Sequence, residues 1–212
     1  MTVVIIDYGS GNLRSAAKAF ERAADDNGLG LDVIVSDKPG DLGRASHIVL
    51  PGVGAFGDCR AGLGALDGMV DALGEAVISG ATPFLGICVG MQLMATRGLE
   101  HGETPGFGWI EGEVRAIQPS DKTIKIPHMG WNTVRVLPGN PLFHSVADES
   151  YFYFVHSYYV VPQDPTIVAT TTFYGTDFTS GVQHENIHAF QFHPEKSQRL
   201  GLTILKNFSN LH

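Results

Sequence analysis

Cysteine is nearly absent from this chain: Cys59 and Cys88 are the only two in 212 residues, too few for a disulfide framework in a protein of this size. Basic residues are also scarce, with 14 Lys and Arg against 22 Asp and Glu and a formal net charge of −8. The few present are scattered, so a surface that tracks nucleic-acid phosphates is not expected. No apolar run approaches the length that crosses a bilayer. Met1-Thr2-Val3-Val4-Ile5-Ile6-Asp7 enters a strand-like run with no basic leader, so no signal peptide is expected. A G-x-x-x-x-G-K-[ST] loop is missing, which sets nucleotide hydrolysis aside. With no C-x-x-C, a zinc site is not expected either. Gly9-Ser10-Gly11-Asn12-Leu13-Arg14 imitates a dinucleotide fingerprint but lacks its third glycine. These absences together point to a soluble cytoplasmic protein with neither metal nor cofactor.

What is present is ordinary for a globular protein: 43% hydrophobic and 17% charged residues, too apolar and too weakly charged for disorder to dominate. The length allows one large domain or two small ones. No Ser/Gly-rich linker, internal repeat or low-complexity tract divides the chain, so residues 1–212 read as one domain. The 26 glycines point to tight turns and close backbone approaches.

The first half alternates short apolar runs with helical patterns. Val3–Ile6, Val33–Val35, His47–Leu50 and Thr82–Ile87 are continuous β-branched or aliphatic runs, as suits a parallel sheet covered on both faces. A helix is predicted from Asn12 to about Ala24, with Leu13, Ala16, Ala17 and Phe20 on one face. Another is predicted from Val89 to Thr96. The second half changes character. Trp109–Ile117, Trp131–Leu137, Tyr151–Val161, Ile167–Phe173 and Ile187–Phe192 read as strands separated by turns such as Pro138-Gly139-Asn140-Pro141. A last amphipathic helix spans about Gln198 to Phe208. The expected architecture is α/β: an open, mostly parallel central sheet flanked by helices, with additional antiparallel strands in the C-terminal half.

The sharpest chemical signal is Gly86-Ile87-Cys88-Val89-Gly90, where an apolar strand meets a helical pattern. A nucleophile on such an elbow sits in strained backbone, so its neighbours two residues away must be small. The first helical amides and the helix dipole favour the thiolate, and the Val89 amide is an oxyanion donor. An isolated buried cysteine is, in general, just a small hydrophobe, so a partner is required. His193-Pro194-Glu195 follows the strand Ala189–Phe192. In extended backbone, residues i and i+2 project to one side, which lets His193 serve as base and Glu195 fix its tautomer. A surface histidine and a solvated carboxylate are the plainer reading of that pair taken alone. Pro51-Gly52-Val53-Gly54 lies just past the strand ending at Leu50, where parallel-sheet enzymes place their sites. Its flexible backbone can offer the Val53 amide to an oxyanion, or it is simply a turn. Cys59 has no base in a matching motif and reads as structural.

Taken together, Gly86-Ile87-Cys88-Val89-Gly90-Met91-Gln92, His193-Pro194-Glu195 and Pro51-Gly52-Val53-Gly54 closely resemble the class I (triad) glutamine amidotransferases, over nearly the whole chain and in the same order. Three further segments are more discriminating: Asp7-Tyr8-Gly9-Ser10-Gly11-Asn12, Pro127-His128-Met129-Gly130-Trp131-Asn132 and His193-Pro194-Glu195-Lys196-Ser197. Within the class they resemble the glutaminase subunits of imidazole glycerol phosphate synthases. Two departures are small: Val89 stands where leucine is usual and Ala189 where glycine is usual.

The resemblance implies attack of Cys88 on the glutamine carboxamide, with His193 as base, Glu195 orienting it, and the Val53 and Val89 amides holding the oxyanion. It further implies glutamine contacts at Gly52, Gln92, Glu100, Ser157 and Tyr158, and no cofactor. Ammonia released here needs an acceptor, and the family implies a (β/α)8-barrel cyclase subunit that turns PRFAR into imidazole glycerol phosphate and AICAR in histidine biosynthesis. Asn12, Met129, Trp131, Tyr153 and Lys196 are the candidate docking residues, aromatic and Met anchors being typical of interface cores. Low resting activity and strong activation by the liganded partner are expected. The alternatives are a glutaminase of the pyridoxal phosphate or anthranilate type, a free-standing γ-glutamyl hydrolase, and a non-catalytic flavodoxin-like binding protein with a relic elbow.

Overall fold

A computed structural model describes residues 1–25 and 30–211. The β-branched runs of the first half form one end of a nine-stranded sheet, with β2 (Asp32–Ser36) at its edge. Strands β1 (Thr2–Ile6), β2, β3 (His47–Gly52) and β4 (Phe84–Cys88) are parallel and ordered β2-β1-β3-β4. Every residue of β3 and β4 is buried, which is why these stretches read as continuous rather than alternating apolar runs. Helices α1 (Leu13–Asp25), α2 (Phe56–Ala65) and α3 (Met69–Gly74) connect them. α1 buries Ala16, Ala19, Phe20, Ala23 and Ala24, one stripe at helical spacing.

One turn of helix, α4 (Val89–Gln92), follows β4. The helix predicted to Thr96 therefore stops early, and Ala95–Gly98 is strand β5, paired with β6 (Thr104–Pro105) and β7 (Ile110–Ala116). Met91, Leu93, Met94 and Ala95 are all fully buried, and an apolar run with no exposed side cannot reveal its period. β8 (His128–Val136) and β9 (Ser150–His156) are a long antiparallel pair, and β10 (Tyr158–Pro162) begins after a break at Ser157. The single strand predicted over Tyr151–Val161 is thus two, in different sheets: β10 joins the four-stranded sheet β10-β7-β5-β6.

β11 (Val168–Phe173), β12 (Asp177–His184) and β13 (Ile187–Phe190) complete the large sheet in the order β4-β13-β12-β11-β8-β9. β13 is parallel to β4, and each later pair is antiparallel. β12 carries no clear hydrophobic pattern, because Ser180 and Gly181 occupy buried positions. Ser180 bonds Thr170 Oγ1 at 3.0 Å, and a Cβ on Gly181 would lie 2.8 Å from the Phe190 ring. The last helix, α5 (Gln198–Ser209), packs against α1 and buries Ile204, Leu205 and Phe208. One core cluster runs from Val3 through Phe154 to Phe208. Among the described residues no helix is long and apolar enough to cross a membrane.

Candidate active site

The carboxyl ends of β3 and β4 lie side by side, with Gly52 in register with Cys88. Cys88 has φ +55° and ψ −110°, a conformation that costs a non-glycine residue energy and persists only where its surroundings enforce it. The glycines around it supply that enforcement. A Cβ on Gly90 would sit 1.8 Å from the Leu50 carbonyl oxygen, and one on Gly86 2.9 Å from the Gly90 oxygen. The elbow is therefore built by backbone packed on backbone. A Cβ on Gly52 would meet Tyr8 Oη at 2.7 Å and the Gly90 nitrogen at 2.9 Å, so Gly52 belongs to the same close packing.

Strand β13 delivers the base. Phe190 pairs with Ile87, and three residues further His193 is 1% exposed. Its Nδ1 lies 2.8 Å from Glu195 Oε1, with both side chains buried. The contact expected from extended i, i+2 geometry is present, but by another route: Pro194–Lys196 is a 3-10 turn that folds Glu195 back onto the ring. Burial works to lower the His193 pKa, yet the hydrogen bonding and charges of Cys88 and Glu195 outweigh it and raise it to about 9. The Nε2 atom has no well-formed hydrogen bond, although the Cys88 thiol is close enough to act on its protonation.

Cys88 opens onto a cavity of about 230 Å3 lined by residues that include Val53, Val89, Gln92, Glu100, Pro127, Ser157 and Tyr158. All but one of the glutamine contacts expected from the sequence thus meet at one hollow, and the exception, Gly52, is in register with Cys88. Gln92 is held by its Nε2, which donates to the Tyr158 carbonyl (3.0 Å) and to Gln191 Oε1 (3.1 Å). Glu100 Oε2 accepts from the Phe56 amide at 2.7 Å, anchoring its carboxylate at the start of α2. Ser157 and Tyr158 form the wall where β9 passes into β10. Tyr158 and Ala116 are opposed, and the Ile117 amide donates to the Ser157 carbonyl at 2.8 Å. That makes Tyr158–Ala116 a non-hydrogen-bonded pair, so the N–H and C=O of Tyr158 lie on the free edge of β10.

The Val53 peptide is turned toward the β1 loop. Its N–H donates to Ser10 Oγ at 3.4 Å, and its carbonyl accepts from Ser10 Oγ (2.5 Å) and Cys59 Sγ (3.3 Å). Cys59, read from sequence as structural, thus also touches the loop expected to complete the oxyanion site. Gln191 is the residue that sequence reasoning passed over: its Nε2 lies 3.5 Å from Cys88 Sγ. Period-2 alternation counted back from His193 points to Gln191 and could have found it.

Four of the five candidate docking residues form one surface. Trp131 on β8 faces Tyr153 on β9, ring centroids 6.0 Å apart, and Lys196 Nζ lies 5.8 Å from the Tyr153 ring centre. Met129 and Trp131 are 62% and 46% exposed, so neither is core. Asn12 stands on another element, at the entry to α1, where its carbonyl accepts the Ala16 amide at 2.9 Å.

A buried Cys-His-Glu arrangement on a strained elbow, opening onto a hollow where Gln92, Glu100, Ser157 and Tyr158 stand among apolar residues, is suited to acyl transfer from an amide. Known proteins agree with this chemistry. A profile described as Glutamine amidotransferase class-I matches residues 4–210. The chain is 54% identical over 211 residues to imidazole glycerol phosphate synthase subunit HisH of Agrobacterium fabrum, covering 98% of each. It is 52% identical over 210 residues to the protein of the same description from Rhodospirillum rubrum, again covering 98% of each. Each of these relatives is, by its description, one subunit of a synthase. A solved glutamine amidotransferase structure superposes with a TM-score of 0.71 at 17% identity, covering 97% of this chain and 98% of the other. On the full-length match and the two relatives, this chain belongs to the class-I glutamine amidotransferase family.

Proposed function

We propose that this chain is the glutaminase subunit of an imidazole glycerol phosphate synthase, folded as a single domain over residues 1–212 and working in the cytoplasm. The observation that carries the reading is the Cys88 elbow, which opens onto the cavity with the buried His193–Glu195 pair in reach of its thiol. The identity of about half the chain to synthase subunits supports the substrate and the pathway.

Cys88 gives its proton to His193 and attacks the glutamine side-chain carbonyl carbon. The Val89 amide receives the developing oxyanion charge, joined by the Val53 amide once that peptide turns from Ser10. Collapse of the intermediate breaks the C–N bond, and the proton held on His193 leaves with ammonia. The hydrogen bonding and charge of Cys88 and Glu195 raise the pKa of His193, which favours the imidazolium formed when it takes the thiol proton, the state that protonates a leaving amine. Water then attacks the thioester, with His193 again taking the proton, and glutamate departs. Glu195 accepts from Nδ1–H throughout and leaves Nε2 to do the transfers. Glu100 matches the ammonium of glutamine, and the Tyr158 N–H matches its carboxylate.

Ammonia passes to a (β/α)8-barrel cyclase seated over Met129, Trp131, Tyr153, Lys196 and Asn12. Contact there turns the Val53 peptide and so switches on hydrolysis. The test supplies glutamine labelled with 15N at the amide to the chain, the cyclase and PRFAR. Label in the imidazole ring of the product is expected. Glutamate released at full rate without any cyclase, with no label transferred, would favour a free-standing hydrolase.

A further inference from the structure

A line of polar side chains that the triad chemistry does not use runs back from the glutamine wall, beginning at His156, which is itself among the residues lining the cavity. His156 Nδ1 is 2.9 Å from the Tyr158 carbonyl, and His156 Nε2 is 3.0 Å from His128 Nδ1. His128 Nε2 is 3.2 Å from Asn132 Nδ2. Both imidazoles are nearly inaccessible, at 2% and 6% exposure. His128 is stacked on Tyr174 and Phe154, with centroids 4.0 and 4.7 Å away.

The direction of every bond in this line follows from its ends. The Tyr158 carbonyl can only accept, so His156 carries its proton on Nδ1. A neutral His156 then accepts at Nε2, which makes His128 the Nδ1–H donor and leaves its Nε2 as acceptor for Asn132. The far end agrees independently. Asn132 Oδ1 accepts from the Thr133 amide at 2.8 Å, and its Nδ2 donates to the Phe173 carbonyl at 2.9 Å. The asparagine is thereby fixed with its NH2 toward His128. Burial holds His128 near pKa 4. Burial and the neighbouring His128 and His193 hold His156 near 3, against the raising effect of the Tyr158 carbonyl. Both rings therefore stay neutral, as a one-way line requires.

We propose that His156, locked in its Nδ1–H tautomer by His128 and Asn132, is a positioning residue for glutamine, holding the Tyr158 peptide so that its N–H meets the substrate carboxylate. The inference deepens the glutaminase reading and rests on it. Tyr158 presents N–H and C=O on the same edge of β10, and the C=O is shared between His156 and Gln92. Loss of the His156 donor leaves one anchor and lets the wall turn. The line also starts on β8, whose opposite face carries Met129 and Trp131, so it ties the glutamine wall to the docking strand.

The wall touches the amino-acid end of glutamine and not the reacting carbon, so its loss weakens ground state and transition state alike. In the complex with the cyclase and PRFAR, His156→Phe is expected to raise KM for glutamine by about tenfold or more with kcat within about threefold. His156→Asn, whose Nδ2 stands near the lost Nδ1, is expected to return KM to within about threefold of wild type. The rate of Cys88 alkylation by iodoacetamide, which has no amino-acid end, is expected to be the same in all three. Independently of any variant, 15N imidazole spectra of the wild-type chain at pH 7 are expected to show both histidines neutral and protonated at Nδ1. An Nε2–H tautomer at either ring, a His156→Phe complex with wild-type KM, or a His156→Asn complex no better than Phe would each overturn the inference. A wild-type complex that releases no glutamate would overturn the functional reading and this inference with it.

Discussion

Ser10→Ala is expected to raise glutamate release by the isolated chain. In the structure the amide that should meet the oxyanion is directed at Ser10 Oγ (3.4 Å), and the next carbonyl is held by Ser10 Oγ (2.5 Å) and Cys59 Sγ (3.3 Å). A hydrogen bond contributes about 0.5–1.5 kcal/mol net, and the lower part of that range applies to an exposed loop. Val53 is 39% exposed, so the two Ser10 contacts together favour the turned-away peptide by about 1 kcal/mol. Removing them shifts the balance toward the competent orientation by about fivefold. The partner-free rate should rise by that factor, while the rate with the liganded cyclase stays within about twofold, because the contacts are already released there. The stimulation ratio therefore falls. Cys59→Ala in the same background removes the remaining donor and should raise the partner-free rate further. The assay is steady-state glutamate release at saturating glutamine, with and without cyclase and PRFAR. A Ser10→Ala chain with an unchanged or lower partner-free rate and full stimulated activity would refute the latch.

Three other perturbations follow from the same geometry. Gly90→Ala forces a Cβ to within 1.8 Å of the Leu50 carbonyl; at about 1–3 kcal/mol for overpacking, or more, Tm should drop by roughly 5–10 °C. Gly40→Ala, which meets nothing within 4 Å, should leave the melt nearly unchanged, and equal shifts in the two variants would contradict the elbow packing. His193 has its folded pKa raised from 6.5 to about 9, so its contribution to stability is complete below about pH 6.5 and lost as pH climbs through 9. Urea midpoints at pH 6.5 and 9 should fall in wild type by more than in His193→Asn, and parallel falls would argue against the pairing. Lys196→Ala should lower the stimulation of glutaminase by the liganded cyclase while leaving the partner-free rate as it is, and undiminished stimulation would remove Lys196 from the interface.

The parallel half of the sheet was legible because β3 and β4 are buried on both faces and carry the apolar runs Ile48-Val49-Leu50 and Phe84-Leu85. The nucleophile elbow was legible for a related reason: the backbone approaches at Gly86 and Gly90 admit only hydrogen, and that steric demand is visible as glycine. The rest was hidden where polar residues fill interior positions or where burial on every side erases the period. β12 escapes notice because Ser180 and Gly181 replace the apolar residues of an inward face. The early end of α4 is invisible because Leu93, Met94 and Ala95 are buried on every side. Gln191 and His156 look like ordinary strand residues, and their placement depends on which strands become neighbours. The Val53 orientation is set by Ser10 and Cys59, 43 and 6 residues away in sequence, a tertiary coincidence that no local pattern records.

The most direct test of the account is mass spectrometry of the complex quenched during turnover of glutamine. A glutamyl adduct on Cys88 is expected in the wild type. The adduct and glutamate release should both be lost in Cys88→Ala, and the adduct should accumulate when His193 is replaced by Asn, since the thioester still forms slowly while water lacks its base. Glutamate release that persists in Cys88→Ala, or an adduct on any other residue, would contradict the central claim that Cys88 is the nucleophile.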